Sequence, residues 1–240
     1  MPEMGCQTGL ELRGLVLQQG DFRLEAGFAL RPGARVAVLG PSGAGKSTLL
    51  SAVAGFLDPV AGQVLWQGAR IDGLAPGRRP VGMLFQDGNL FPHLDIARNV
   101  ALGMSPRGRL SGAESARVAQ ALERVGLGGM GGRKPGELSG GQQSRAALAR
   151  VLVQDRPVML LDEPFAALGP ALRAEMLALV AELQAETGAT LLMVSHDPKD
   201  AERIAEEVVL VDAGRAEAPA PLRQMLADPP EALRRYLGSD

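Results

Sequence analysis

With Cys6 as its only cysteine, the chain cannot form an intramolecular disulfide, which fits a reducing cytosol. Aromatic residues are equally scarce. They make up 3% of the 240 residues against 46% hydrophobic, so Leu, Val, Ala and Met must fill the core. An excess of charge is missing too: 25 basic and 27 acidic residues leave a formal charge of −2. That balance argues against nucleic acid held by bulk electrostatics. No apolar run approaches the roughly 18 residues of a membrane-spanning helix, and residues 189–194 and 208–211 are only strand-sized. Residues 1–8 lack a basic stretch followed by an apolar one, so no secretion signal is expected. Cys6 lies in that stretch and is read as uninvolved in chemistry. The length suits one large domain or two small ones with an ample core.

What the chain does have is glycine placed to hold phosphate. Gly40, Pro41, Ser42, Gly43, Ala44, Gly45, Lys46, Ser47 and Thr48 fit G-x-x-x-x-G-K-[ST]. The context fits as well. Residues 35–39 are a short β-branched apolar run, as in a buried parallel strand. Residues 46–54 read as a helix stopped by Gly55. A strand running through glycines into a helix N-terminus points backbone N–H groups and the positive end of the helix dipole at an anion. Lys46 is placed for the β- and γ-phosphates of a nucleotide and Ser47 for Mg²⁺. A Gly-rich turn matching by chance is the competing explanation, and the flanking strand and helix weigh against it.

The rest of the pattern is α/β, then helical, then α/β again. Partial alternation over residues 10–17 and 21–30 predicts antiparallel strands, and residues 63–67 and 81–85 predict two more. From Asp87 to Gln154 the periodicity is helical, including 95–104, a capping box at Ser111 and Glu114, and a helix opened by residues 138–142. Glycines 128, 129, 131 and 132 predict a loose, hinge-like loop. Residues 158–161, 189–194 and 208–211 read as strands, 171–186 as a helix, and Asp197-Pro198 as the start of another.

A second set of chemical residues ends these strands. Asp162 follows an apolar strand, where P-loop enzymes hold Mg²⁺, and Glu163 beside it suits a general base for water. Without the phosphate loop, the same two carboxylates would read equally well as a cap on the next turn. Gln86 also ends a strand and is read two ways, as a ligand to Mg²⁺ or the attacking water, or as a loop glutamine; spacing does not separate them. His196 is read as polarising the γ-phosphate and His93 as a loop residue. Ser139, Gly140, Gly141 and Gln142 form a second phosphate-binding design, a hydroxyl with close backbone approach at a helix N-terminus. Ser-Gly-Gly is otherwise an ordinary helix cap. Two phosphate sites and one nucleotide loop suggest two copies, each completing the other.

Taken in this order, the motifs resemble the ATP-binding cassette (ABC) ATPases, and the resemblance covers nearly the whole chain. It implies an α/β P-loop NTPase fold with a RecA-like core, an N-terminal antiparallel β subdomain and an inserted α-helical subdomain. Residues 1–240 would form one domain, with 1–86 and 155–240 as the core and 87–154 as the helical part. ATP and Mg²⁺ would be the cofactors. The resemblance carries catalytic roles to Glu163, His196 and Gln86, and Mg²⁺ contacts to Ser47, Gln86 and Asp162. It implies a head-to-tail homodimer with residues 139–142 of one copy on the γ-phosphate of the other. Two membrane-spanning permease subunits and, indirectly, a periplasmic solute-binding protein would be the partners, at the cytoplasmic face of the inner membrane. Residues 84–94, 99–103, 135–142 and 191–196, with the compact C-terminus, look most like thiamine importers. An importer of ferric iron or molybdate is the alternative. A soluble cassette acting on ribosomes or DNA is disfavoured by the acidic single cassette, and a regulator without turnover by Glu163 and His196. Two departures stand out. Gly169 replaces the usual Asp of the dimer-contact loop, which puts coupling in question, and residues 17–20 offer no aromatic for adenine, which predicts loose base recognition.

Overall fold

The computed structural model describes residues 8–86, 88–105 and 110–237, without the side chains of Arg235 and Leu237. Cys6 and Asp87 lie outside the described residues. The chain opens with β1 (Leu10–Gln19) and β2 (Phe22–Leu30), then β3 (Arg35–Leu39) and α1 (Lys46–Ala54). β4 (Ala61–Trp66), β5 (Ala69–Arg70), a 3-10 turn at Pro76–Arg78 and β6 (Val81–Leu84) follow. Three helices come next: α2 (Ile96–Ala101), α3 (Gly112–Arg124) and α4 (Gly140–Leu152). Then come β7 (Val158–Asp162), α5 (Pro170–Thr187), β8 (Thr190–Val194), α6 (Pro198–Ile204) and β9 (Glu207–Asp212). β10 (Arg215–Ala216), β11 (Ala220–Pro221), α7 (Leu222–Ala227) and α8 (Glu231–Leu237) complete the described chain.

The strands form one mixed sheet in the order β5-β4-β1-β2-β10-β9-β3-β8-β7-β6, with β11 on β9. The first four are antiparallel, and β9, β3, β8, β7 and β6 run parallel. Apolar runs without alternation become strands buried on both faces. Val36, Val38, Leu160, Leu192 and Val194 pack with Leu49, Leu50 and Val53 of α1. The intervening Met159, Leu161, Leu191 and Met193 pack with Met176, Leu177 and Val180 of α5. The two-residue pieces β5 and β11 are too short to carry a pattern, and the sequence reading does not contain them.

Register places the functional positions. Val38 pairs with Val194, and Val194 pairs with Asp162, so β3, β8 and β7 end at one level. The loops leaving them, with Lys46, His196 and Glu163, therefore start side by side. Gln86 leaves from β6, on the far side of β7 at the sheet edge.

The helical segment shares its core with the sheet: Ile96, Val100, Val118, Leu122 and Leu148 join Leu84, Leu161 and Phe165. The Ser111–Glu114 capping box forms as expected, and Asp95 accepts from Arg98 N at 2.7 Å. The glycine loop after α3 is tighter than its composition suggests. Ile96 N donates to Arg133 O and Ala97 N to Gly131 O, both at 2.8 Å. The first turn of α2 has N–H groups without intrahelical partners, and the loop supplies their acceptors.

One buried cation ties the phosphate-loop helix to the segment after β5. Arg79 is fully buried, and its guanidinium donates to Ala52 O, Val53 O, Leu74 O and Asp72 O at 2.7–3.0 Å. Two of these are carbonyls of the last turn of α1, where Gly55 (φ 92°) ends the helix and leaves room for the guanidinium. Burial holds the Arg79 pKa below the usual arginine range. Arg79→Met would strand these carbonyls, and we expect it to cost about 3–5 kcal/mol in urea unfolding. A loss below about 1 kcal/mol would contradict this account.

Candidate functional site

α1 begins at Gly45, whose φ of 104° lies where only glycine sits without strain. Any Cβ there would meet Phe22 Cζ at 2.4 Å, and one on Gly40 would lie 2.0 Å from Val211 O. Both glycines are thus fixed by neighbouring chain as well as by the turn. The loop bounds a cavity of about 260 Å³ lined by Ser42, Gly43, Gly45, Lys46, Ser47 and Thr48, with Gln19, Phe22 and Glu163 opposite. Pro41 and Ala44 close the loop below, Ala44 N donating to Pro41 O at 3.2 Å. Lys46 is buried, and its ammonium donates to Gly40 O and Pro41 O at 2.8 Å. Burial lowers its pKa, while the charges of Glu163 and Asp162 work against that shift.

The acidic side comes from β7 and β8. Ser47 Oγ donates to Asp162 Oδ1 at 2.9 Å, joining the two positions expected to serve Mg²⁺. Burial pushes the Asp162 carboxyl up, and Glu163 adds to this; the Ser47 hydrogen bond and Lys46 pull it back. Glu163 adopts φ 45°, a left-handed backbone seldom taken by a non-glycine residue and one that collects at functional sites. Its Oε2 lies 3.3 Å from His196 Nδ1. Among the described residues no three His, Cys, Asp or Glu side chains gather into a metal cage. Mg²⁺ ordinarily takes one or two carboxylates and completes its shell with phosphate oxygens and water. A hydroxyl beside a half-buried carboxylate next to a phosphate loop fits that habit.

The other sequence-predicted residues stand apart from this cavity. Gln86 is exposed and lines a separate cleft of about 500 Å³ between the sheet edge and α4, together with Gly140, Leu90 and Leu168. Ser139 caps α4, accepting from Gln142 N at 3.3 Å while Gln142 Oε1 accepts from Ser139 N at 3.0 Å. Ser139 and Gly140 are exposed, and neither borders the chain's own phosphate-loop cavity. A Cβ on Gly141 would meet the tip of the Leu172 side chain at 2.5 Å and oblige it to move, whereas one on Gly140 would meet nothing within 4 Å. His93 lies in the loop before α2, with its ring 6.0 Å from that of Phe91.

The cavity wall holds a residue that the sequence reading of the adenine site did not include. Residues 17–20 hold no aromatic, yet the cavity is not without one. The β1–β2 turn pairs Gln19 with Phe22, and this brings the Phe22 ring over Gly45 into the cavity wall. Its signal lay in the sequence two residues past the loop considered, and only the hairpin register reveals it. Arg173 was also missed: it sits in the first turn of α5, with Nη2 3.5 Å from His196 Nε2.

The chain matches the ABC transporter family over residues 25–166. It is 62% identical over 229 residues to the thiamine import ATP-binding protein of Cereibacter sphaeroides, covering 95% of this chain and 99% of the relative. It is 59% identical to the protein of that name from a Ruegeria species, covering 96% and 100%. Among solved structures, it superposes with a TM-score of 0.75 and 31% identity on a dimeric, post-hydrolysis ATP-binding cassette bound to ADP and Pi, covering 89% and 99%. A nucleotide-free cassette of an ABC transporter, at 24% identity and a TM-score of 0.84 over 95% and 98%, shares the fold.

The raised Asp162 pKa has a consequence for stability. A carboxyl whose folded pKa exceeds its unfolded one favours folding while protonated, and that contribution is lost as pH rises through the folded value. At neutral pH the ionised group therefore opposes folding of the nucleotide-free chain. Asp162→Asn keeps an acceptor for Ser47 and removes the charge. Its melting temperature should exceed that of the wild type at about pH 7, and the gap should close below the ordinary carboxylate range. A lower or unchanged value at neutral pH would count against the electrostatics described.

Proposed function

The chain belongs to the ABC transporter family, and from that premise we propose that it is the ATP-hydrolysing subunit of a bacterial thiamine importer. The enzymatic part rests on one observation: Lys46, Ser47, Asp162, Glu163 and His196 meet at the carboxyl ends of three strands held in register. The solute rests on relatives named for thiamine import, aligned over nearly the full length of both chains.

In this reading the triphosphate lies along residues 40–48, with Lys46 turning its ammonium toward the β- and γ-oxygens. Ser47 and Asp162, with Gln86 by family resemblance, are the residues that would hold Mg²⁺, and the ion would neutralise phosphate charge. Glu163 takes a proton from water as its oxygen attacks the γ-phosphorus. The bond from that phosphorus to the bridging oxygen breaks, giving ADP and phosphate. His196 donates toward the γ-phosphate. Phe22 offers its ring to the base. Ser139, Gly140, Gly141 and Gln142 act on the nucleotide of a second copy; their exposure, and the open space at Gly140, suit a pocket completed from outside the chain. Solved cassettes at 31% identity described as dimeric support a two-copy reading.

Among the described residues no helix is long and apolar enough to cross a membrane, and in this reading separate permease subunits provide the path. We assign their contact to the cleft beside Gln86, lined by Leu84, Leu90, Pro92 and Leu168 and flanked by exposed Phe91. The chain would then sit on the cytoplasmic face of the membrane, driven by a periplasmic thiamine-binding protein across it.

Reconstitution with permease and solute-binding protein tests the proposal: thiamine-loaded binding protein should stimulate ATP hydrolysis. Stimulation by a different solute alone would overturn the thiamine assignment. Glu163→Gln should slow hydrolysis about 10²–10⁴-fold and leave ATP binding intact; turnover near the wild-type rate would remove the base from its role. Phe22→Ala should weaken ATP binding by roughly 0.5–1.5 kcal/mol in calorimetry, and an unchanged affinity would exclude the ring from the base site.

A further inference from the structure

The turn that carries Gln86 is held from α4. Gly88 N donates to Phe85 O at 3.0 Å, closing the chain back on itself after β6 with Gln86 inside the turn. Gly88 (φ 62°) and Asn89 (φ 46°) both take the left-handed backbone, an uncommon state for a residue with a side chain and one kept only where the surroundings enforce it. Two contacts hold it here. Gly88 backs onto α4, where an added Cβ would lie 3.3 Å from Ala147 Cβ. One turn further along α4, Arg150 donates from Nη2 to Gly88 O at 2.5 Å and from Nη1 to Asn89 O at 2.7 Å.

An arginine in the last turn of a helix is ordinarily drawn to that helix's own carbonyls. Arg150 is in the last turn of α4, yet each terminal nitrogen takes one carbonyl of another segment. The side chain is half-buried there, and burial holds its pKa below the usual arginine range. The next stretch of chain is held separately. Asn99 of α2 is fully buried; its Oδ1 accepts from Phe91 N at 2.7 Å, and its Nδ2 donates to Phe91 O, Leu94 O and Asp95 O at 3.0–3.2 Å. Gly88, Leu90 and Pro92 line the cleft beside Gln86. They belong to a strap fixed at two points, with Arg150 at the end nearest the glutamine.

We propose that Arg150 is a positioning residue, whose guanidinium fork fixes the turn after β6 and so sets where Gln86 can reach. A planar fork takes two carbonyls at once in one geometry, which an ammonium on a flexible stem does not reproduce. The consequence for hydrolysis rests on the ATPase reading and on Gln86 acting at the phosphate site; the anchoring does not.

Amide hydrogen exchange on the ¹⁵N-labelled full chain, without nucleotide, reads the anchor. Gly88 should be protected in the wild type. Arg150→Met, which keeps the apolar stem, should speed exchange at Gly88 roughly tenfold or more, while Phe91, held by Asn99, stays as in the wild type. Arg150→Lys should speed Gly88 about threefold. Hydrolysis reads the consequence: Arg150→Met should lower kcat about 10–100-fold with KM for ATP nearly unchanged. In a Gln86→Ala background the same substitution should cost less than about threefold. An unprotected Gly88 in the wild type, unchanged exchange at Gly88 in either variant, or equal acceleration at Phe91 would overturn the proposal. So would an unchanged kcat, or a loss as large without Gln86 as with it. If the Met variant does not fold, exchange at Gly88 in the Lys variant decides alone. Exchange as stated, with no hydrolysis in any form, would uphold the anchor and remove the ATPase reading instead.

Discussion

The site depends on the register of three parallel strands. Val38, Val194 and Asp162 are paired neighbours across β3, β8 and β7, so the phosphate loop, the histidine loop and the two carboxylates leave the sheet at one level. Because side chains alternate with period 2, a one-residue slip in β7 would turn Asp162 to the opposite face and bury a charge against α5. The apolar residues on both faces of these strands make that slip costly. Packing of the core and placement of the chemistry are one constraint.

At that edge, like charges gather in partly buried surroundings. Asp162 and Glu163 are adjacent, Lys46 is turned toward backbone carbonyls, and Glu163 holds an unfavourable backbone conformation. The adjacent carboxylates are an electrostatic cost in the free chain that a cation bound with a polyphosphate would relieve. A loop that supplies donors, a hydroxyl and a carboxylate but too little positive charge is arranged to gain stability from its ligand. The internal contacts of Lys46 with Gly40 and Pro41 keep the loop open and shaped until then.

The residues proposed to serve a second copy do not line the phosphate-loop cavity. Gly141 packs against the Leu172 side chain of the same chain, while Gly140 beside it has open space and Ser139 is exposed at the cap of α4. Gln86 and Gly140 border one cleft, so the strand edge and the helical segment meet where a membrane partner is proposed to bind. Through shared packing of α4, movement at that cleft and at the exposed cap would be coupled.

Much of this was legible before any coordinates. The glycine and lysine spacing of the phosphate loop, the apolar strands ending in carboxylate or histidine, and the Ser111 and Ser139 caps are local: each follows from residues within a few positions of one another. Cavity membership was not legible in this way. Phe22 enters through the hairpin pairing with Gln19, against a sequence reading that looked only at residues 17–20. The glycine loop after α3 is pinned by N–H groups of a helix more than thirty residues earlier, which no local composition can signal. Arg79 and Arg173 carry no local signal, and only burial and the approach of distant groups give them partners. The sequence by itself determined which groups could do chemistry and which segments would be strand or helix, because propensity, capping and motif spacing act over short range. Only the tertiary structure decided which groups share a wall, because strand order and register bring together residues separated by more than a hundred positions.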